Sequence, residues 1–195
     1  VRELNIYCEI HPFNHIPDID ASVKGIILSG SPCSVREEDS PRVDESIFGD
    51  LPVLGICYGA QLLAHQGGGL VQASGHREYG RAHMSTVKGS PLLANLSEKG
   101  QVWMSHGDTI MELPDQYELI GSTETVRVAA FAHKSKPIYG IQFHPEVTHS
   151  TEGSALIKNF VVGICGCAQT WTSDSFVDRT VADLKAKLGN DKVVL

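Results

Sequence analysis

The sequence lacks the features that mark membrane-spanning, repetitive and nucleic-acid-binding chains. It contains no apolar run long enough to span a bilayer, no internal repeat and no low-complexity tract. Acidic residues outnumber Lys and Arg by 23 to 16, and the basic residues form no stripe. We therefore expect neither a nucleic-acid partner nor a membrane partner. With 195 residues, 42% of them hydrophobic, the chain can still bury the core of a globular domain.

Cysteine is sparse and irregularly placed. The five cysteines are Cys8, Cys33, Cys57, Cys165 and Cys167. An odd number without regular spacing favours free thiols in a reducing, cytoplasmic setting. The Cys165-x-Cys167 pair is too tight for a typical zinc pair, and the histidines show no zinc-like spacing with cysteines. We therefore expect no metal site.

Short apolar runs alternate with amphipathic stretches along the chain, a pattern typical of an α/β sheet flanked by helices. We predict buried strands at Lys24–Gly30, Pro52–Ile56, Val102–Met104, Val126–Ala132 and Ile138–Phe143. We predict helices at Gln61–Gln66, Glu152–Ile164 and Ser175–Leu188.

The two ends of the sequence resemble interrupted elements. Val1–Ile6 is interpreted as the tail of a helix followed by a strand, and Asp191–Leu195 as a strand without a partner. A short buried-type strand cannot satisfy its backbone alone, so one hypothesis is that more chain belongs at each end. The alternative, a frayed tail, stays open.

A potential nucleophile lies between a predicted strand and a predicted helix. The segment Gly55-Ile56-Cys57-Tyr58-Gly59 has the form Gly-x-nucleophile-x-Gly. Its glycines permit a sharp turn and remove Cβ atoms that would clash with neighbouring elements. The helix that begins after Cys57 favours a thiolate. Alone, the motif is equally compatible with a buried structural cysteine.

A second motif supplies a base and a carboxylate. His144 and Glu146 end a predicted strand, and positions i and i+2 of an extended backbone face the same side. Pro145 between them favours the extended conformation at His144. A carboxylate that orients a histidine beside a cysteine nucleophile is the arrangement of a catalytic triad. A lone His144 would more simply be a core histidine, but the two motifs together favour catalysis.

Two further loops follow predicted strands. The loop at Leu28–Pro32 can direct a backbone N–H towards the nucleophile, and the amide of Tyr58 can supply a second. Two such donors to an oxyanion commonly contribute about 3 kcal/mol each to catalysis. The segment Ser105-His106-Gly107-Asp108 follows the strand at Val102–Met104, and in isolation it is more simply a polar turn.

Together these motifs resemble the class I (triad) glutamine amidotransferases, from the strand at Gly25 to about Trp171. The resemblance implies a flavodoxin-like, open, mostly parallel sheet flanked by helices, and glutamine hydrolysis through a γ-glutamyl thioester on Cys57. It also implies glutamine contacts from Gln61, Ser105, Gly107 and Asp108. This family usually has Gly-Gly-Pro where this chain has Gly30-Ser31-Pro32, so we assign the oxyanion amide to Ser31. A positive φ there would cost serine about 1 kcal/mol.

Within this class the chain is most similar to the amidotransferase domain of the GMP synthase family. The similarity rests on Arg77-Glu78-Tyr79-Gly80, the SHGD segment, HPEVTHS ending at Ser150, and ICGC followed by Trp171-Thr172. It implies an amidotransferase domain over residues 1–170 with a truncated amino end. Residues 171–195 would then form a linker helix and the first strand of an ATP-pyrophosphatase domain.

The same resemblance implies the partners and cofactors of the whole enzyme. Glutamine is the small-molecule substrate, and no cofactor is expected in the amidotransferase domain itself. ATP and Mg²⁺ would bind the ATP-pyrophosphatase domain in cis, where ammonia aminates XMP to GMP. A homodimeric full enzyme is compatible with this resemblance.

Three alternatives remain open at this level. The chain could be the amidotransferase component of another glutamine-dependent synthase. It could also be a cysteine hydrolase similar to γ-glutamyl hydrolase. The third alternative is a non-catalytic regulatory module that docks on a synthetase subunit.

Overall fold

The fold is given by a computed structural model that describes residues 1–189, with residues 75–78 and Arg179 described for the backbone alone. The predicted strand at Asp191–Leu195 lies outside the described residues. The strands are β1 (Ile26–Leu28), β2 (Val53–Ile56), β3 (Leu70–His83), β4 (Ser85–Thr86), β5 (Gln101–Glu112), β6 (Tyr117–Ser122), β7 (Ala130–His133) and β8 (Ile138–Ile141). The helices are α1 (Tyr58–Gln66), α2 (Gly153–Lys158) and α3 (Ser173–Leu188). None of these helices is long and apolar enough to cross a membrane.

The predicted open sheet flanked by helices is confirmed, but the sheet is mixed rather than mostly parallel. Its strand order is β1-β2-β8-β7-β6-β4. Strands β1, β2 and β8 are parallel, whereas the pairs from β8 to β4 are antiparallel. The three parallel strands therefore bring their carboxyl ends to one edge, where open α/β sheets bind ligands.

The core lies on both faces of this sheet because β2 and β8 are buried along their whole length. Val53 and Ile138 pack on the face that α1 covers. Leu54 and Ile141 pack on the opposite face, which α2 covers through Leu156.

A second, two-stranded sheet joins β3 and β5 in antiparallel pairing. The strand β3 was not predicted, and β5 continues beyond the predicted end at Met104. The segment from Ser105 to Asp108 therefore lies inside a strand rather than in a polar turn. The register shifts between Ala73 and Glu78, and the β3 backbone bulges opposite Gly107.

The remaining predictions differ at their ends. The helix predicted at Glu152–Ile164 is α2 followed by a π-helical segment at Asn159–Ile164. Val1–Ile6 contains a 3₁₀ turn at Arg2–Leu4, but residues 6–25 form no helix or strand. The strand expected after this helical tail is therefore absent from the described residues.

Candidate active site

Cys57 lies at the turn from β2 into α1, in a backbone conformation that is rare for a non-glycine residue. Its φ is 52° and its ψ is −105°. Such a conformation costs about 1–3 kcal/mol and persists only where the surroundings enforce it. Here the Cys57 amide donates to the carbonyl of Ile141 in β8, at 2.8 Å. The turn places the side chain at the carboxyl edge of the parallel strands.

The two glycines of the motif are required by close backbone contacts. A Cβ at Gly55 would lie 2.6 Å from the carbonyl carbon of Gly59. A Cβ at Gly59 would lie 2.2 Å from the carbonyl oxygen of Leu28 in β1. Any larger residue would therefore push α1 away from the sheet and displace the cysteine. This is the role that the sequence motif predicts for them.

The structure brings Cys57, His144 and Glu146 together. The His144 Nδ1 and the Glu146 Oε1 are 2.7 Å apart, and the imidazole is within hydrogen-bonding reach of the Cys57 thiol. The strand β8 ends at Ile141, two residues earlier than predicted, so the histidine and glutamate lie in the bend and turn that follow it. Their contact does not depend on an extended strand.

The electrostatics of the three groups favour a protonated imidazole. The hydrogen bond with the Cys57 thiol, followed by that with Glu146, raises the pKa of His144 to about 10, although burial acts in the opposite direction. Burial alone would raise the pKa of Glu146. The hydrogen bond from His144 and a backbone hydrogen bond lower this pKa, and the net shift is downward. The imidazolium therefore lies between an anionic carboxylate and the sulfur.

The segment proposed to supply oxyanion donors lies against this group. A Cβ at Gly30 would contact the His144 Cε1 at 3.4 Å and the Cys57 Cβ at 3.8 Å. Ser31, the next residue, is not among the non-glycine residues with positive φ in the described chain. Serine at this position therefore carries no left-handed backbone cost. Tyr58 begins α1, where the first amides have no acceptor within the helix.

The four residues expected to contact glutamine line the same edge. The Ser105 carbonyl lies 3.7 Å from the Cys57 sulfur. Gln61 is buried, and its Nε2 donates to the Asp108 carbonyl at 2.8 Å. The backbone at Gly107 is open, since nothing lies within 4 Å of a Cβ placed there.

The Asp108 carboxylate already has protein partners. It accepts a hydrogen bond from Ser34 Oγ and pairs with the Arg36 guanidinium at 3.1 Å. Ser34 and Arg36 follow β1 in the chain, and neither residue belongs to a predicted motif. These contacts fasten the loop that carries Ser31 to β5, because an arginine fork and a hydroxyl hold the same carboxylate.

Sequence reasoning also missed Gln142, a fully buried residue with 1% of its surface exposed. Its Nε2 lies 3.8 Å from the Cys57 sulfur and its Oε1 lies 3.3 Å from the Gln61 Nε2. The two-residue alternation that identified His144 and Glu146 also includes position 142, so this signal was present in the sequence.

The described residues contain no group of three or more His, Cys, Asp and Glu side chains that could hold a metal ion. The five cysteines are all free thiols. The reactive groups that meet at the site are the thiol of Cys57, the imidazole of His144 and the carboxylate of Glu146.

Comparison with known proteins assigns this geometry to a family. A family model described as glutamine amidotransferase class-I matches residues 1–164, most of the chain. The chain belongs to the class-I glutamine amidotransferases. The family resemblance expected from the GICYG and HPE motifs is thereby confirmed.

Curated relatives of this amidotransferase domain cover its whole length. It is 61% identical to the GMP synthase [glutamine-hydrolyzing] of Cytophaga hutchinsonii and 56% identical to that of Phocaeicola vulgatus. In both cases 100% of this chain is aligned, against 39% and 38% of the relative. The domain therefore spans about two fifths of the length of these relatives.

Solved structures share its fold. A Thermoplasma acidophilum protein, provisionally described as a GMP synthase subunit, is 36% identical, with a TM-score of 0.62 over 76% of this chain and 78% of that one. A glutamine amidotransferase from Methylobacillus flagellatus has a TM-score of 0.57 at 22% identity, over 73% of this chain and 60% of that one. The second likeness concerns the fold alone.

Proposed function

We propose that this amidotransferase domain hydrolyses glutamine to glutamate and ammonia, with Cys57 as nucleophile, His144 as proton carrier and Glu146 as the group that orients His144. The observation that carries the proposal is the 2.7 Å contact between His144 and Glu146 beside the thiol of a strained strand-to-helix turn. A cysteine, a histidine and an orienting carboxylate are the parts needed for acyl transfer.

In the first half-reaction the Cys57 thiolate attacks the side-chain amide carbon of glutamine. The amide oxygen becomes an oxyanion, which the N–H groups of Ser31 and Tyr58 would stabilise. The His144 imidazolium then gives its proton to the amide nitrogen, the carbon–nitrogen bond breaks, and ammonia leaves. A γ-glutamyl thioester remains on Cys57, and His144 is neutral.

In the second half-reaction the neutral His144 removes a proton from water as the water oxygen attacks the thioester carbon. Collapse of the second oxyanion breaks the carbon–sulfur bond and releases glutamate. The thiolate and the imidazolium are regenerated together, and the raised pKa of His144 favours the protonated form of the imidazole. Glu146 holds the imidazole throughout by its contact with Nδ1.

Glutamine binding is assigned to Gln61, Ser105, Gly107 and Asp108. The open backbone at Gly107 leaves room for a ligand on the strand whose Ser105 carbonyl lies 3.7 Å from the Cys57 sulfur. A carboxylate has about four acceptor positions. Asp108 can therefore accept from the substrate ammonium in addition to Ser34 and Arg36.

For the whole protein we propose the reaction of a glutamine-dependent GMP synthase, in which the ammonia aminates XMP to GMP with consumption of ATP. The support is the 61% identity to a curated GMP synthase over all of this chain. ATP and Mg²⁺ would bind an ATP-pyrophosphatase domain, to which residues 171–195 would lead in a cytoplasmic enzyme. No cofactor is assigned to residues 1–170.

The test is ammonia release from glutamine, measured with and without an ATP-pyrophosphatase partner, XMP and ATP. We expect Cys57→Ala to abolish release while the circular dichroism spectrum stays that of the wild type. Cys8→Ala, which changes a cysteine in a segment remote from the site in sequence, should release ammonia normally. Turnover by Cys57→Ala would contradict the assignment of the nucleophile.

The outcomes also separate the alternatives. A glutamine-analogue affinity label should attach to Cys57. Hydrolysis of γ-glutamyl peptides by a chain that this label spares would favour a γ-glutamyl hydrolase. Absence of turnover even with the partner, XMP and ATP would favour a regulatory module.

A further inference from the structure

Gln142 is a buried polar residue that the mechanism above does not use. It follows β8 directly, and its backbone N–H donates to the Ala129 carbonyl at 2.9 Å. Its side-chain amide lies between the Cys57 sulfur, 3.8 Å from Nε2, and the Gln61 Nε2, 3.3 Å from Oε1. A polar side chain with 1% exposure is stable only if its donors and acceptors are paired.

The network of hydrogen bonds fixes which end of each amide faces which partner. The Asp108 backbone carbonyl can only accept, so Gln61 must present its NH₂ group to it, at 2.8 Å. The same NH₂ group donates its second hydrogen towards Gln142, which must therefore turn its oxygen to Gln61. The NH₂ group of Gln142 is left facing the Cys57 sulfur. The oxygen and nitrogen ends of an amide have similar shapes. The orientation of both amides is therefore assigned from the hydrogen bond to the Asp108 carbonyl.

We propose that Gln142 is a further catalytic residue, whose side-chain N–H donates to the Cys57 sulfur and stabilises the thiolate form. The inference rests on the proposed function, because it takes this sulfur to be the nucleophile. The Cys57 sulfur has two polar contacts, one compatible with a thiol and the other with a thiolate. The Ser105 carbonyl at 3.7 Å can accept from a thiol, whereas the Gln142 N–H can donate to a thiolate.

Gln142→Glu is the sharpest test because it changes one end of the amide and preserves the other. A glutamate retains the side-chain volume and an oxygen that accepts from Gln61. Above the pH at which this buried carboxyl ionises, it presents an acceptor to the sulfur instead of a donor, so the alkaline part of the profile decides. Gln142→Met removes both polar ends without adding charge. Gln116→Met is the control for the loss of a side-chain amide donor. Gln116 lies between β5 and β6, and its Nε2 donates to the Gly67 carbonyl.

The primary measurement is the rate of Cys57 alkylation by iodoacetamide as a function of pH, which requires no glutamine turnover. We expect the midpoint to move upward by about one pH unit in Gln142→Met, a tenfold loss of thiolate below the midpoint, and further in Gln142→Glu. In steady-state glutamine hydrolysis, kcat should fall about tenfold with KM nearly unchanged. Gln116→Met should follow the wild type in both assays.

A wild-type alkylation profile in folded Gln142→Glu would overturn the inference. If Gln142→Met fails to fold, as judged by thermal unfolding, the isosteric glutamate variant decides alone. The two hypotheses fail in different ways. A wild-type protein that neither turns over glutamine nor reacts with the analogue label contradicts the proposed function, whereas normal wild-type turnover with unaffected Gln142 variants contradicts the role of Gln142 only.

Discussion

At the scale of single residues, His144 couples the chemistry of the site to the stability of the fold. Its pKa rises from 6.5 to about 10, chiefly through the Cys57 thiol. The folded protein therefore holds this proton more tightly than the unfolded chain. The associated stabilisation is complete below pH 6.5 and is lost as the pH rises to about 10.

We therefore predict that the free energy of unfolding in urea decreases between pH 6.5 and about 10, and that Cys57→Ala, which removes the largest cause of the shift, weakens this decrease. Cys8→Ala should retain the wild-type slope. An NMR titration of the His144 ring should show a lower midpoint in Cys57→Ala than in the wild type. Equal slopes and equal midpoints in all three proteins would refute the coupling.

At the scale of elements, the contact between α1 and β1 depends on a missing side chain. A Cβ at Gly59 would lie 2.2 Å from the Leu28 carbonyl, which is backbone and cannot rotate away. Gly59→Ala should lower the free energy of unfolding by about 1–3 kcal/mol through overpacking. It should also reduce glutamine turnover, because the start of the helix carries the nucleophile. Gly163→Ala, where nothing lies within 4 Å of the added carbon, is the control. Urea titrations and ammonia release on both variants test this, and equal stability of the two would contradict it.

The elements that sequence reasoning found are those whose local pattern suffices. Strands β2 and β8 are continuous apolar runs, and α1 ends at a glycine run, so their positions follow from hydrophobicity and turn chemistry. The strand β3 is rich in polar residues and glycine and owes its conformation to pairing with β5. Without β3 in view, the segment from Ser105 to Asp108 is in isolation more simply a polar turn than a ligand contact.

In the candidate site too, some residues could be found from local sequence motifs, whereas other contacts depend on the fold. Cys57 belongs to one short motif, His144 and Glu146 belong to another, and the two motifs together indicate catalysis. The contact of Asp108 with Arg36 joins residues 72 positions apart, and that of Gln142 with Cys57 joins residues 85 apart. Contacts at such separations depend on the sheet order, which no single segment of the sequence encodes.

At the scale of the whole molecule, the amino-terminal segment is weakly anchored, since residues 7–25 contain no buried side chain. Residues 6–25 form no helix or strand, and Ile10 is 90% exposed. Segments with few buried contacts open most readily. Limited digestion with chymotrypsin should therefore cut first after Tyr7 and Phe13, before the buried Phe131 and Phe143. Mass spectrometry of the earliest fragments tests this, and initial cleavage within the sheet would contradict it.

The hydrogen bond from the Cys57 amide to the Ile141 carbonyl has a consequence for control of the enzyme. The strand that receives this bond is the one that leads to His144, and β2 and β8 are paired in register up to Ile56 and Ile141. The nucleophile is therefore tied to the strand that leads to the base. The base is also tied to β5, because the His144 backbone N–H donates to the Trp103 carbonyl at 3.0 Å. Displacement of β5 would therefore shift His144 relative to Cys57, so the ribbon of β3 and β5 is the part through which a bound partner would alter the catalytic pair.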